Sequence, residues 1–572
     1  MSQLSVLDWS IIIGYIVISL AAGLLIARRF KGAKSIIGYF VANRSLPWWL
    51  AGISMIASSF AIDTPLGITG MVASHGIQGV WFAWAFIIGG TGALSAFFFA
   101  FMLRRSEVIT SAELIELRYS GKGAAFLRLF KAIFIGIVAN ALTLGWVMKA
   151  VTTFGEVGFG YNPMLILAVI LAITLVYTTV SGMWGIVATD VLQYAISLFG
   201  VIALAVYAIK YVGGIDGLVE GINARYGLEE GTKRLNFIPR IDSSFFHMFI
   251  VFVTLKWWAD PPNAILQRIV SSKNEKHASL ATLIFSIGQF AINYWPMILV
   301  ALVSLIVYPN LPKSEAEKGY VLLIFKLLPS GMLGIVLAAM IAALMSTIDT
   351  HINMGASYIV NDIYKRFINP EGDEKHYVLV SRIATVLMLL IAVVIAMNLD
   401  SVKSAWYWLS MLLAGYGFVT VIRWFWWRLN AWSEIVCMLT SFLGTILAKY
   451  VFNFSTFGWR FIFVVVFSLS LTVIATFLTK PSSKEVLLNF CKLVRPFPTF
   501  WGPIVKENPD LGWNPFFGKT LSMWLMGVVM IFSICFGTGH LVFTNYLYAI
   551  ILYGIASFFG IIIYKMWPET LE

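Results

Sequence analysis

Oxygen-bearing side chains form a stripe within an apolar stretch of the chain near residue 350. They recur three or four positions apart, which places them on one face of an α-helix; they are Ser346, Asp349, Thr350, Asn353 and Ser357. Hydroxyls and a carboxylate are the donors that hard cations prefer. The alternative is that small residues only pack here and that Asp349 pairs with a basic residue. The stripe therefore predicts either a cation site or a buried ion pair.

A second polar segment, residues 54–67, interrupts an apolar stretch nearer the N-terminus. It contains the carboxylate Asp63 and two residues that break helices, Pro65 and Gly67. Lipid cannot form hydrogen bonds with the backbone groups that a broken helix exposes. Such a break is tolerated only where protein, water or a bound ion satisfies those groups, which indicates a transporter.

A similar break lies near residue 260, where Asp260 is followed by two prolines and Asn263. Four apolar spans separate the two breaks, so each break opens a block of five spans, and the second block must enter the membrane from the opposite side. Interrupted helices at matching positions of two halves indicate a transport site built from inverted repeats. Asp260 has a second interpretation, in which it only caps a half-helix.

Four other polar residues lie in or near these spans. Asp190 lies in the sixth span, where it is either an ion ligand or a counter-charge. Tyr407 and Ser410 lie where the last helix of the second block could gate a cavity. His351 lies off the polar stripe, which favours a hydrogen-bonded core histidine over a proton relay.

The composition predicts the membrane helices that position these residues. Hydrophobic residues make up 59% of the 572 positions and charged residues 12%, about half the charged fraction of soluble domains. The apolar runs are about 20 residues long and do not alternate, which indicates an all-α polytopic membrane protein rather than a barrel. We expect about fifteen spans. They begin near residues 8, 47, 79, 125, 162, 184, 244, 278, 331, 376, 403, 430, 458, 519 and 541. The first is predicted to be a retained helix and not a cleaved signal.

The formal net charge of +12 could indicate nucleic-acid binding, but the basic residues lie in short loops between alternate spans. That distribution follows the positive-inside rule. It predicts an N-terminus outside, a cytoplasmic C-terminus and a plasma (inner) membrane location. The lipid bilayer is then the expected partner, and nucleic acid is not.

The spans divide the chain into four predicted regions. Residues 1–46 hold an extra N-terminal helix and a cytoplasmic loop, and residues 47–243 hold the first five-helix block with an extracellular loop. Residues 244–429 hold the second block. Residues 430–572 hold about four accessory helices and an amphipathic cytoplasmic segment at 481–518.

Enzyme chemistry finds no support in the sequence. The three cysteines are scattered, and the six histidines form no metal-binding pair. Nucleophile and phosphate-binding motifs are missing too. We expect neither catalysis nor an organic cofactor.

Taken together, the motifs resemble those of the solute:sodium symporter family, which includes sodium/glucose, sodium/galactose, sodium/proline and sodium/sialate cotransporters. The resemblance covers roughly residues 8–480. It rests on the break at 54–67, on 181–193, on Gln267 and Arg268 ahead of Lys273, and on 343–347 ahead of 361–365. It implies a leucine-transporter-like core of five plus five inverted helices, preceded by one extra helix.

The resemblance also implies a sodium site. Its ligands would be the backbone carbonyls of Ala57, Phe60 and Ala343 and the hydroxyls of Ser346 and Thr347.

Some members of the family hold a second sodium ion with the acid that matches Asp190 and with hydroxyls one turn further along the ninth span. This chain has Asp349 and Thr350 there, and an acid in place of a hydroxyl departs from the family pattern. Asp349 could strengthen a second cation site, accept a proton or pair with the solute.

The solute is less well defined by the resemblance. Sugar-binding members have a glutamine where this chain has Thr64, and a lysine in the eighth span, which here has none. Sugar, polyol and amino-acid-like solutes all remain open. The predicted solute contacts are Ser59, Asp63, Thr64, Asp260, Asn263 and Tyr407.

The predicted function is sodium-coupled symport that imports a small polar solute by alternating access. Its partners would be sodium ions and the solute, with the oligomeric state left open. The main alternative is a proton-coupled carrier in which Asp349 and Asp190 titrate. A sensor that keeps the transporter fold and a channel are the remaining interpretations.

Overall fold

A computed structural model describes residues 4–29, 35–159, 163–259, 263–398 and 402–571. The long helices begin with α1 (Val6–Arg29), α2 (Trp48–Ser59), α3 (Asp63–His75), α4 (Gly121–Val157), α5 (Pro163–Tyr211), α6 (Phe246–Thr254), α7 (Asn263–Ser271), α8 (Glu275–Val307) and α9 (Met332–Ile368). They continue with α10 (Glu374–Ala396), α11 (Val402–Leu412), α12 (Ala414–Ile422), α13 (Ala431–Val451), α14 (Phe457–Leu478), α15 (Lys484–Val494), α16 (Phe517–Val542) and α17 (Tyr546–Leu571). Shorter helices connect them, among them Ile36–Val41, Ala100–Arg105, Glu113–Arg118, Gly214–Tyr226, Leu228–Leu235 and Lys318–Leu327.

The predicted break near residue 60 is confirmed. α2 ends at Ser59 and α3 begins at Asp63, with a bend of 60° between them. Phe60 leaves the helical conformation, with φ −93° and ψ 83°. Pro65 lies in the first turn of α3, where its missing N–H breaks no helical hydrogen bond. The break therefore exposes backbone carbonyls at the end of α2.

The helix near the second predicted break is also interrupted. α6 ends at Thr254, a short helical turn covers Lys256–Ala259, and α7 begins at Asn263. Residues 260–262 lie outside the described residues.

Helix α5 contains two predicted spans. Its 49 residues would extend roughly 70 Å if straight, more than twice the thickness of a bilayer core. Gly182 interrupts it with φ 59° and ψ −157°. Beyond it, Gln193 Nε2 lies 3.5 Å from the hydroxyl of Tyr177, although a straight helix would separate these residues by about 24 Å. The chain thus reverses at Gly182.

This reversal explains why continuous helices are fewer than the fifteen spans expected. Among the described residues, ten helices are long and apolar enough to cross a membrane, and two bent pairs bring the number to twelve. The remaining predicted spans are the second arm of α5, the interrupted run at 76–105, and the pair α6 and α7.

Helix α9 lies at the centre of the protein, and nearly all of its side chains from Val336 to Ser357 are buried. The extra helix α1 packs against it. Asp8 Oδ1 accepts hydrogen bonds of 2.8 Å from the backbone N–H groups of Gly331 and Gly334. A carboxylate is favourable there because the N-terminal end of a helix carries a partial positive charge.

Four long helices, α13, α14, α16 and α17, follow the second block. The segment between α14 and α16 contains α15, which buries Leu487, Phe490, Cys491 and Val494 on one face. Trp501, also buried, donates from its indole to the carbonyl of Trp424 at 3.1 Å. The apolar side of this amphipathic segment thus packs against the protein.

We expect Gly182→Ala to destabilise the protein. A Cβ atom at Gly182 would lie 2.9 Å from the backbone oxygen of Tyr39, at a positive φ that alanine disfavours. Such strain costs roughly 1–3 kcal/mol, which a lower melting temperature in detergent would report. Gly554→Ala is the control, since its Cβ would meet nothing within 4 Å. Equal melting temperatures for the two variants would contradict the reversal at Gly182.

Candidate functional site

A cavity of about 300 Å³ lies beside the break between α2 and α3. Its walls come from α2, α3, α4, α8, α9 and α11, together with the run at 76–105. Four predicted site residues line it, namely Ser59, Asp63, Thr64 and Thr347. Aromatic side chains form much of the remaining wall, among them Phe82, Phe86, Trp146, Phe290 and Trp406.

The end of α2 meets the middle of α9 at this cavity. The hydroxyl of Thr347 lies 3.3 Å from the backbone oxygen of Ser58 and 3.1 Å from that of Ala343. Ala57 precedes Ser58, Phe60 follows it by two positions, and the Phe60 N–H donates to the Ala57 carbonyl at 3.2 Å. The predicted ligand Thr347 on α9 thus contacts α2 at the residue next to the predicted ligand Ala57. Carbonyl and hydroxyl oxygens are neutral donors that suit a hard monovalent cation.

Ser346, the other predicted hydroxyl ligand, faces α5. Its hydroxyl donates to Asp190 Oδ1 at 2.5 Å. A hydroxyl that donates one hydrogen bond still has lone pairs to offer. Ser346 therefore connects the predicted sodium site on α2 and α9 with the polar residues around Asp190.

Asp190 faces a buried arginine that the sequence singled out only as part of a motif. The Arg268 guanidinium lies 3.5 Å from the Asp190 carboxylate, and both side chains are fully buried. Arg268 also donates to the hydroxyls of Ser54 at 3.1 Å and Thr350 at 2.5 Å. Ser54 in turn donates to Asp190 at 2.5 Å. Asp190 therefore pairs with a cation of the protein itself, and its role as an ion ligand stays a prediction.

Asp349 lies at the edge of the same polar network. It accepts a hydrogen bond of 2.7 Å from Tyr177 and one of 3.4 Å from Thr350. Thr350 thereby bridges Arg268 and Asp349. Tyr177 was not predicted as a site residue, because its contact depends on the reversal of α5.

A chain of hydrogen bonds satisfies one of the carbonyls at the break. Gln289 Nε2 donates to the Ser59 carbonyl at 3.1 Å. Its Oε1 accepts from Asn293 at 3.3 Å, and Asn293 Oδ1 accepts from Tyr194 at 2.9 Å. These hydrogen bonds could have been suspected from the sequence, since amide side chains such as Gln289 and Asn293 are rare in an apolar span.

Asp63 lies in the first turn of α3 and is 2% exposed. Its Oδ1 atom has no hydrogen-bond partner among the described residues. Asn140 and His351 line the same cavity and contact each other, with 2.5 Å between Asn140 Oδ1 and His351 Nδ1. His351 is thus hydrogen-bonded, as expected, but it also faces the cavity.

Tyr407, another predicted solute contact, is not among the described residues that line the cavity. The ring of Tyr407 packs against Phe82 at 4.7 Å and Phe457 at 4.8 Å. Ser410, named with Tyr407, lines the cavity, and so does Trp406. Successive residues of a helix point about 100° apart. Asp260 lies outside the described residues. Asn263 begins α7, and its side chain is not described.

Comparison with known proteins identifies relatives over most of the chain. The sequence model of the sodium:solute symporter family matches residues 39–441. Sodium/glucose cotransporter 4 of Danio rerio is 26% identical over 424 residues, which are 68% of this chain and 62% of the relative. The sodium/glucose cotransporter of Vibrio parahaemolyticus is 25% identical over 479 residues, 78% of this chain and 86% of the relative. The sodium/myo-inositol cotransporter 2 of Oryctolagus cuniculus is 25% identical over 550 residues, 86% of this chain and 79% of the relative.

The fold has a solved counterpart. A Na⁺-coupled sialic acid symporter in its substrate-bound outward-open state superposes with a TM-score of 0.70 at 19% sequence identity. The match covers 84% of this chain and 99% of that one. The predicted all-helical, leucine-transporter-like fold is thereby confirmed.

Removing the charge of Arg268 should destabilise the protein strongly. Arg268→Gln leaves the buried Asp190 without a cation, which costs about 3–5 kcal/mol. Adding Asp190→Asn should restore much of that loss, because both charges are then absent. Melting temperatures in detergent measure both effects. Arg240→Gln is the control, since Arg240 and Asp242 are also 3.5 Å apart but exposed. A double variant no more stable than Arg268→Gln would argue against the pair.

Proposed function

Because this chain belongs to the sodium:solute symporter family, we propose that it couples the entry of sodium to the import of a small polar solute by alternating access. The contact between Thr347 and the Ser58 carbonyl supports this proposal most directly. It joins the broken helix to α9 beside the cavity. An ion and a solute bound there would share the unwound end of α2.

Sodium is the proposed co-transported ion, and no organic cofactor takes part. Its ligands are the carbonyls of Ala57, Phe60 and Ala343 with the hydroxyls of Ser346 and Thr347. Bound sodium would hold α2 against α9 and favour the outward-open state, in which the break is arranged for solute. By linkage, sodium raises solute affinity by the same factor by which solute raises sodium affinity.

The sodium gradient supplies enough free energy for this work. One charge crossing about 100 mV yields roughly 2.3 kcal/mol, and a tenfold concentration ratio adds about 1.4 kcal/mol. One sodium ion per solute therefore sustains accumulation of roughly 500-fold. Two ions would square that ratio.

A second cation is proposed at Asp190, Asp349 and Thr350. Arg268 provides one positive charge for the two carboxylates, which favours a further cation near Asp349. If that cation is a proton, the protein is a proton-coupled carrier, the second candidate function. Uptake measured against sodium concentration at fixed pH separates the two, because a proton-coupled carrier would not require sodium.

The solute is proposed to occupy the cavity next to Ser59, Asp63 and Thr64. Sugars, polyols and amino-acid-like solutes are the candidate classes, and sodium/glucose and sodium/myo-inositol cotransporters are among the relatives. Asp260, Asn263 and Tyr407 remain proposed solute contacts.

The protein is an integral membrane protein, and we place it in the plasma membrane. Basic residues concentrate at the ends of alternate spans and in the loops beside them, at 28–34, 104–122, 273–276 and 365–366. The positive-inside rule then puts the N-terminus outside and the C-terminus in the cytoplasm.

Loss of both hydroxyl ligands should abolish sodium-dependent uptake. The variant Ser346→Ala with Thr347→Ala removes two neutral oxygens from the proposed site but leaves the helix intact. We expect uptake in proteoliposomes under a sodium gradient to fall at least about 10-fold, which corresponds to 1.4 kcal/mol.

Thr440→Ala is the matched control, since the Thr440 hydroxyl also bonds a carbonyl of its own helix, at 2.6 Å. Normal sodium-dependent uptake by the double variant would remove the proposed site. Sodium-dependent solute binding by the wild-type protein without accumulation would instead indicate a sensor.

A further inference from the structure

The buried carboxylates of this protein differ in how their charge is compensated. Six are buried among the described residues. Three face arginines, namely Asp190 with Arg268, Asp362 with Arg128 and Glu434 with Arg423, at 3.5, 2.8 and 3.1 Å. Asp8 and Asp349 accept hydrogen bonds on both carboxylate oxygens. Asp63 has neither a lysine nor an arginine within 4.0 Å among the described residues, and its Oδ1 is without a hydrogen bond.

Among the described residues, Asp63 is also the carboxylate that lines the cavity. A charged group in a water-poor site is costly unless it is paired. The N-terminal end of α3 offsets only about half a charge. Lys256 lies against the cavity wall, over the rings of Phe82 and Phe86 at 4.0 and 3.4 Å, and not within ion-pair distance of Asp63. The bound ligand is therefore the natural source of the missing positive charge.

The wall around Asp63 suits an organic cation. Trp146, Trp406 and Phe82 line the cavity with it, and aromatic rings are common partners of ammonium groups. A solute carrying a carboxylate would instead bring a second negative charge next to Asp63.

The rest of the wall offers neutral hydrogen-bonding groups. Gln289, Asn140, His351, Ser59 and Ser410 line the cavity and can bind hydroxyls as donors or acceptors. A volume of about 300 Å³ lies at the lower end of the range for small-molecule sites. It accommodates a molecule the size of a monosaccharide.

We propose that the solute is a small hydroxylated amine, such as an amino sugar without a carboxylate, whose ammonium group pairs with Asp63. This inference rests on the proposed function and narrows its solute class. The ammonium group supplies the positive charge that Asp63 lacks among the described side chains, and the hydroxyls of the solute bind the neutral polar groups of the wall.

Matched solutes test the inference. Tryptophan fluorescence of the purified protein in sodium buffer follows binding, since Trp146 and Trp406 line the cavity. The probes are D-glucosamine with D-glucose and D-galactosamine with D-galactose, which differ in an ammonium group against a hydroxyl. In at least one pair, the amine should bind about 10-fold tighter or better.

Variants assign that preference to Asp63. Asp63→Asn should abolish the preference for the amine, whereas Asp63→Glu, which keeps the charge, should retain part of it. Asp216→Asn makes the same chemical change in the connecting helix Gly214–Tyr226 and should leave the preference unchanged. Melting temperatures recorded alongside confirm that each variant is folded.

The outcomes separate the inference from the proposed function. Equal or tighter binding of the neutral sugars overturns the inference and leaves symport standing. A preference for amines that persists in Asp63→Asn also overturns it, as does a fluorescence response to sodium with no response to either amine. If neither sodium nor any solute changes the signal, the proposed function fails, and the inference fails with it.

Discussion

Backbone groups inside a bilayer must find hydrogen-bond partners within the protein, and the break between α2 and α3 brings this constraint to one place. Lipid offers no partner for the carbonyls that are released when Phe60 leaves the helix. Gln289 reaches the carbonyl of Ser59, and Thr347 reaches that of Ser58. The helices α8 and α9 that supply these side chains are therefore held against the break. Backbone carbonyls that lack a helical hydrogen bond can also bind a cation, so the same break is suited to an ion site.

Helix α9 connects two polar regions that would otherwise be separate. Thr347 faces the broken helix, and Ser346 faces Asp190 on α5. One turn further on, Thr350 contacts Arg268 on α7, which begins after the second break. A shift of α9 relative to α2 would thus change the surroundings of Asp190 and Arg268. Through these contacts, binding of an ion or solute at the first break would alter the hydrogen bonds of Arg268 near the second break.

Local features of the sequence predicted much of this arrangement. The break at 54–67 was evident because proline and glycine interrupt an apolar run, and the stripe on α9 was evident from its helical spacing. Arg268 as the partner of Asp190 was not, because 78 positions separate them and only the packing of α7 against α2 and α5 brings them together. Ser410 lines the cavity, but Tyr407 was chosen where its neighbour Trp406 does so, since one position of error in a helical register turns a side chain by about 100°. The number of continuous helices was smaller than the fifteen predicted spans, partly because α5 contains two spans joined at a reversal that depends on the single residue Gly182.

The central claim is that a sodium ion binds between the end of α2 and the middle of α9. Electron cryomicroscopy of the protein in nanodiscs, with one sample in sodium chloride and one in potassium chloride, tests it most directly. Sodium bound at this position would give a compact density among the carbonyls of Ala57 and Phe60 and the hydroxyl of Thr347 in sodium, and none in potassium. A sodium map with well-resolved side chains and no density there, or the same density in both salts, would contradict it.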